Sequence, residues 1–278
     1  MLRHVPTSRM TTTTGGGRAI AVCAVVCAMA LHVAALADFS DTFATNRLDE
    51  DYDIVVKSGS AEWDVDTAQG HLYQTAALDE DDWGWLRPAG VVLDAPGASW
   101  NMQLDTVPEW DSGRDWQDVG IQLQASADSQ AFSIKLGLTW GNYWLSARRE
   151  SLWSDRVSLG YADEEKPGWL KFPADAGDVM TLRYEGEQSG SHVYTFWRNA
   201  RPLKGFQLMG TSGFDPPLAP PMLEIQSDVL LLYPVVVYWT PRTWRATIGR
   251  VWTEGVAAAA VRAAGRLAVA WGAMKAAK

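Results

Sequence analysis

The chain has 278 residues, enough for one large all-β unit or two smaller domains, and nothing in it demands two. Both cysteines, Cys23 and Cys27, fall within the first 37 residues, so the remainder carries neither a disulfide nor a thiolate metal site. All 33 acidic residues lie after position 37 and three arginines lie before it, which leaves 21 basic residues and a net charge of −12; such a surface argues against nucleic acid as a partner.

Residues 1–37 have the make-up of a secretory leader. Arg3, Arg9 and Arg18 supply the positive end, 19–36 the apolar run, and Ala35-Leu36-Ala37 a small-x-small cleavage site before Asp38. Export is the expectation, with the mature chain starting at Asp38. Met10 serves as a start as well as Met1, and retention as an uncleaved anchor is the alternative. Lipid attachment at Cys27 is set aside, because Val26 stands where a small residue is needed.

From Asp38 to Gly255 short apolar-alternating runs are punctuated by Gly, Pro, Asn and Asp, which predicts an all-β domain over 38–255. Asp38-Phe39-Ser40-Asp41-Thr42-Phe43 and Ala61-Glu62-Trp63-Asp64-Val65-Asp66 read as the first two strands, the second running through a turn to Gly70-His71-Leu72. Val119, Ile121 and Leu123 alternate with Gly120, Gln122 and Gln124. In 132–140, Phe132, Ile134, Leu136, Leu138 and Trp140 share one face, and Ser133, Lys135 and Thr139 the other. The apolar faces are expected in the core and the polar ones in water. Gly141-Asn142 and 187–191 predict hairpin turns.

The prolines at 216, 217, 220 and 221 make an extended connection, after which Met222-Leu223-Glu224-Ile225-Gln226 resumes as strand. The apolar run 229–239 is too short to cross a bilayer, which takes roughly 20 residues, and is expected to be a buried strand bent at Pro234. A last strand covers 245–252. The Ala-rich tail, 256–278, places Ala260, Ala263, Leu267, Trp271 and Met274 on one helical stripe, and Arg262 and Arg266 oppose a transmembrane span there.

Phe39-Ser40-Asp41-Thr42-Phe43, Leu48-Asp49, Trp63-Asp64-Val65 and Gly70-His71-Leu72 resemble the opening of the concanavalin A-like lectin/glucanase superfamily, in particular its laminin-G-like and uncharacterised secreted bacterial branches. Val119 to Leu123 is similar to its central strand and Thr181-Leu182-Arg183-Tyr184 to the strand before a hairpin arm at His192. The resemblance implies an antiparallel two-sheet β-sandwich, a jelly roll, whose concave sheet often holds carbohydrate. It also implies a structural calcium at the N-terminal Asp41, although Ile248-Gly249-Arg250-Val251 lacks the acid that would complete the site. No other cofactor is expected.

The hydrolases of that superfamily carry E-x-D-x-x-E on a mid-chain strand. Here the nearest pattern is Glu62-Trp63-Asp64-Val65-Asp66, with Gln69 in place of the second glutamate, which reads as the solvated face of an edge strand. Acidic runs at 49–51, 79–82 and 163–165 read as solvated loop charge, and His71 and His192 as structural. Fifteen tryptophans, all after position 37, exceed what a core of this size needs, and aromatic faces stack on sugar rings. The candidate ligand-binding residues are Trp83, Trp85, Trp110, Trp116, Tyr143 and Trp144, with Gln122 and Arg183 fixing hydroxyls. Glu185 and Glu224 are the one carboxylate pair placed for catalysis. The expected activity is therefore non-catalytic binding of a glycan or cell-surface polymer. The competing classes are a polysaccharide hydrolase or lyase and a structural envelope protein.

Overall fold

The computed structural model describes residues 38–57, 62–75, 83–107, 118–139, 141–153, 156–165, 172–209, 224–239 and 246–256. The expected leader, the helix expected in the Ala-rich tail beyond Val256 and the acidic run 79–82 lie outside the described residues. The described strands are β1 (Ser40–Asp41), β2 (Tyr52–Lys57), β3 (Glu62–Asp66), β4 (His71–Thr75), β5 (Trp83–Pro88) and β6 (Ser99–Thr106). They continue as β7 (Asp118–Ser126), β8 (Ser129–Thr139), β9 (Asn142–Arg149), β10 (Leu152–Trp153), β11 (Arg156–Tyr161) and β12 (Val179–Gln188). The last are β13 (Ser191–Arg198), β14 (Arg201–Met209), β15 (Glu224–Ser227), β16 (Tyr233–Trp239) and β17 (Thr247–Glu254).

Every pairing is antiparallel, and the strands form two sheets. Sheet I runs β15-β13-β12-β6-β17, with β1 and the β4-β3 hairpin side by side on the far edge of β17. Sheet II runs β2-β5-β16-β7-β8-β9-β11-β14. The two are joined at β14, whose first residues, Arg201 and Pro202, pair with β13 before the strand crosses to β11.

Period-2 alternation turns one face of each sheet toward the other. Trp100, Met102 and Leu104 of β6, Leu182 of β12 and Phe196 of β13 share one buried cluster with Ile121, Leu123, Leu136, Leu138 and Leu145 of sheet II. Two polar contacts cross this core: Trp100 Nε1 donates to the Val235 carbonyl at 3.1 Å, and the Leu231 amide donates to the Tyr194 hydroxyl at 2.6 Å. Two-residue hairpins close the strand pairs. Ser189 and Gly190 (φ 53° and 80°) join β12 to β13, and Asn199 and Ala200 (φ 51° and 59°) join β13 to β14, the doubly positive φ that suits the strand twist.

Three expectations need correction. The run 61–66 supplies the third strand and not the second, because Tyr52–Lys57 forms β2 ahead of it. The run 49–51 is not loop: Leu48–Asp51 forms a single helical turn, α1, because Arg47 reaches Glu50 and Asp51 at 3.0 and 3.3 Å, the three- and four-residue spacing of a helix. The polar faces of β7 and β8 are not wet, since Gln122, Gln124 and Ser133 are all buried. Alternation fixes which side of its own sheet a residue takes, and says nothing of what lies over that side.

The sheets are also tied by a buried polar cluster. Asp178, just before β12, accepts from Tyr143 of β9 (2.9 Å), from Arg198 of β13 (2.8 Å), from Asn199 (2.6 Å) and from the Asp175 amide (2.8 Å). The Arg198 guanidinium lies 5.0 Å from the Tyr143 ring centroid and 4.8 Å from that of Phe172. Replacing one partner of a buried ion pair leaves the other uncompensated, so Arg198→Met should cost about 3 kcal/mol, read as a lowered urea midpoint. A variant with an unchanged midpoint would show that the cluster contributes no stability.

Burial, and then the Asp178 charge, hold Tyr143 protonated well above the usual tyrosine range; burial and Asp41 do the same for Tyr52, and burial for Tyr194. These phenols stay neutral in the fold yet ionise near pH 10 in the unfolded chain, so their contribution is complete below about pH 10 and is lost as pH rises further. Phenolate absorbance and circular dichroism should therefore show a group of tyrosines ionising only as the chain unfolds. Smooth ionisation of every tyrosine near its ordinary value in folded protein would contradict this.

Candidate functional site

The side chains of sheet II that point away from the sandwich interior form a second, polar and aromatic face. In register across the strands, Val235 of β16 stands beside Gln122 of β7, Gln122 beside Lys135 of β8, and Lys135 beside Ser146 of β9. One row along, Tyr233, Gln124, Ser133 and Arg148 follow one another. On the other side of the Gln122 row, Val237 pairs with both Trp85 and Gly120, Gly120 with Gly137, Gly137 with Trp144, and Trp144 with Ser158 of β11. The two facing glycines leave the floor bare between Trp85 and Trp144. A Cβ at Gly120 would stand 2.3 Å from the Leu136 carbonyl oxygen, so no larger residue fits.

This face is shielded from solvent. Trp85 is 4% exposed, Trp144 7%, Gln122 1% and Gln124 0%. Trp85, Val235 and Val237 form an apolar cluster separate from the main core. Within this setting Gln122 Nε2 and both side-chain polar atoms of Gln124 are buried without a hydrogen-bond partner. So is Arg87 Nη1, although Arg87 Nη2 holds Asp53 at 2.8 Å and the guanidinium lies 5.7 Å from the Tyr233 ring centroid. A buried unsatisfied polar group costs about 1–3 kcal/mol, and native folds keep few of them.

The outer face of sheet I is the opposite case. Thr181 Oγ1 donates to Asn101 Oδ1 at 2.6 Å, and Asn101 Nδ2 to Ser99 Oγ at 3.0 Å. Thr195 Oγ1 donates to Glu185 Oε1 at 2.6 Å and accepts from Trp197 Nε1 at 2.8 Å. Arg183 Nε lies 3.5 Å from the same Glu185 oxygen. Glu224 is the register partner of Thr195. The threonines, Asn101 and Glu185 are part of the sheet's own hydrogen bonding, whereas Arg183 Nε is buried without a hydrogen-bond partner.

The expected site residues are therefore divided. Trp85, Trp144 and Gln122 come together on sheet II, while Arg183, Glu185 and Glu224 lie on sheet I. Tyr143 faces the sandwich core, bound to Asp178, because it alternates with Trp144 along β9. Trp83 pairs through its backbone with Trp239, and Trp110 and Trp116 lie outside the described residues. Asp41 accepts from the Phe43 amide at 2.7 Å and the Tyr52 hydroxyl at 3.0 Å, so both carboxylate oxygens are engaged within the chain. Among the described residues no three His, Cys, Asp or Glu side chains gather as a metal site. Edge strand β3 uses its acids locally: Asp64 accepts from the Tyr73 hydroxyl at 2.8 Å, and Asp66 Oδ1 from the Ala68 and Gln69 amides. No helix among the described residues is long and apolar enough to cross a membrane. Arg87 stands beside Trp83 and Trp85 in the sequence pattern, whereas Val235 and Val237 of β16 escaped notice, since 229–239 reads simply as buried strand.

No family model and no curated protein matches the chain. Among solved structures, a protein of unknown function from Shewanella oneidensis MR-1 aligns at 9% identity and a TM-score of 0.45, over 91% of this chain and 98% of that one. The carbohydrate recognition domain of Emp46p, in metal-free form, aligns at 6% identity and 0.44, over 78% and 95%. The SPRY domain of human HERC1 aligns at 13% and 0.32, over 68% and 92%. At such values the sandwich assignment rests on the strand pairing itself.

An unsatisfied amide in this face predicts that an apolar replacement of similar shape is harmless or better. In the unliganded protein Gln124→Leu should keep or raise the melting temperature, by about 2–4 °C for each kcal/mol gained. A fall of several degrees would show that the amide is satisfied after all.

Proposed function

We propose that the chain is an exported, non-catalytic carbohydrate-binding module of the concanavalin-like sandwich class, with its glycan taken up on the outer face of sheet II. The observation that carries this reading is the buried pair Gln122 and Gln124, with Gln122 Nε2 and both polar atoms of Gln124 unpartnered, set on the same face as Trp85 and Trp144. A sugar ring offers an apolar C–H face and a rim of hydroxyls, each able to donate and accept. Tryptophan faces and free amides complement both halves of that chemistry. Glu185 and Glu224 lie on the other sheet, away from these tryptophans, so the module is proposed to hold its glycan rather than cleave it. The amides are out of reach of solvent in the chain as it stands, so the ligand displaces the contacts that now shield them. Export rests on the charge and apolar pattern of residues 1–37.

A glycan array followed by calorimetry tests the reading. The wild-type chain should bind a defined subset of glycans, and Gln122→Leu should weaken binding by about tenfold, the loss of one good hydrogen bond. Trp85→Ala should weaken it further. A blank array, or binding indifferent to both substitutions, would remove the proposal.

A further inference from the structure

We infer that the glycan held by sheet II is anionic, bearing carboxylate or sulfate groups; this rests on the binding reading above and adds the charge of the ligand. The unmet hydrogen-bonding capacity of the face is unbalanced. On β5 and β7, Gln122 Nε2, Gln124 Nε2 and Arg87 Nη1 are donor nitrogens without a partner, whereas Gln124 Oε1 is the one acceptor in the same state on those two strands. Each of those nitrogens carries two N–H groups. A neutral sugar hydroxyl brings one donor with its acceptors, so it cannot meet such a surplus without leaving its own hydrogen unmatched. A carboxylate or sulfate brings acceptors alone.

Arg87 makes the bias firm, since no rotamer or protonation change turns a guanidinium into an acceptor. Its second nitrogen is already held by the half-exposed Asp53 at 2.8 Å, which orients the fork and leaves Nη1 inside. Tyr233 neighbours both: the guanidinium is 5.7 Å from its ring centroid, and Tyr233 is the register partner of Gln124. Lys135 stands directly across from Gln122. Among the described side chains Asp53 is the carboxylate beside Arg87, so an entering anion shares that guanidinium with it. Hydrogen bonds to a charged acceptor are shorter and about twice as strong as neutral ones, and a shielded face screens them little.

The test uses the full chain and matched ligand pairs: polygalacturonate, alginate and hyaluronan fragments, each against its carboxyl-reduced form, and dextran sulfate against dextran. An acidic member should bind at least about tenfold tighter than its neutral counterpart, a preference that added salt weakens little because the face is shielded. Arg87→Gln should abolish that preference and leave affinity for the neutral form within about threefold. Should Arg87→Gln fail to fold, Gln124→Leu carries the test, lowering affinity for the acidic member more than for its neutral counterpart. Equal affinity for both members of every pair overturns the inference while the glycan reading stands. Binding of none of them, on a chain that also leaves the glycan array blank, overturns both.

Discussion

The relative placement of the two sheets depends on the carboxylate of Asp178. Buried carboxylates are tolerated where every lone pair is used, and here one group serves donors from both layers: Tyr143 from sheet II, Arg198 and Asn199 from the hairpin end of β13 in sheet I. Apolar contacts between sheets are forgiving of small slips, whereas a shared carboxylate is not. Trp100, reaching from β6 to the Val235 carbonyl of β16, adds a second fixed point at which the layers are pinned. The Trp100 contact fixes β16, which carries Tyr233, Val235 and Val237 on the far side of sheet II, while the Asp178 cluster meets the same sheet through β9, where Tyr143 alternates with Trp144.

Much of this arrangement is legible in the residues, and the remainder fails for a definite reason. Ile134, Leu136 and Leu138 announce both a strand and its buried face, and they occupy it. The same alternation separates Tyr143 from Trp144, so grouping them as one aromatic patch ignores the period of β9. Membership of a sheet is a different matter. Gln122 and Arg183 look alike as polar residues on amphipathic strands, yet β7 belongs to sheet II and β12 to sheet I, a fact decided by long-range pairing that no local pattern records. Likewise nothing near Gln124 in sequence marks it as buried. The one local hint is chemical: amides, rather than lysines or glutamates, alternate with the apolar residues of β7.

The contrast between the two outer faces is the basis of the functional reading. Sheet I spends its threonines, asparagine and glutamate on one another, with Arg183 Nε the exception. Sheet II keeps donors in reserve at a cost in stability, a pattern that folding alone has no reason to preserve. Sites that await a ligand are where local rules of polar satisfaction are expected to fail, because the missing partner is not part of the chain.

The position of β17 has a kinetic meaning. It lies inside sheet I, with β6 on one flank and β1 and β4 on the other, and the first described residues fasten to it: Phe39 and Thr253 exchange hydrogen bonds of 2.9 and 2.8 Å, and the Val256 amide reaches Asp38. Until 247–254 has been synthesised, the opening residues lack their partner and β6 lacks a neighbour. Closing a loop of some two hundred residues precedes the contacts that reward it, which makes assembly of sheet I a slow event belonging to the whole chain.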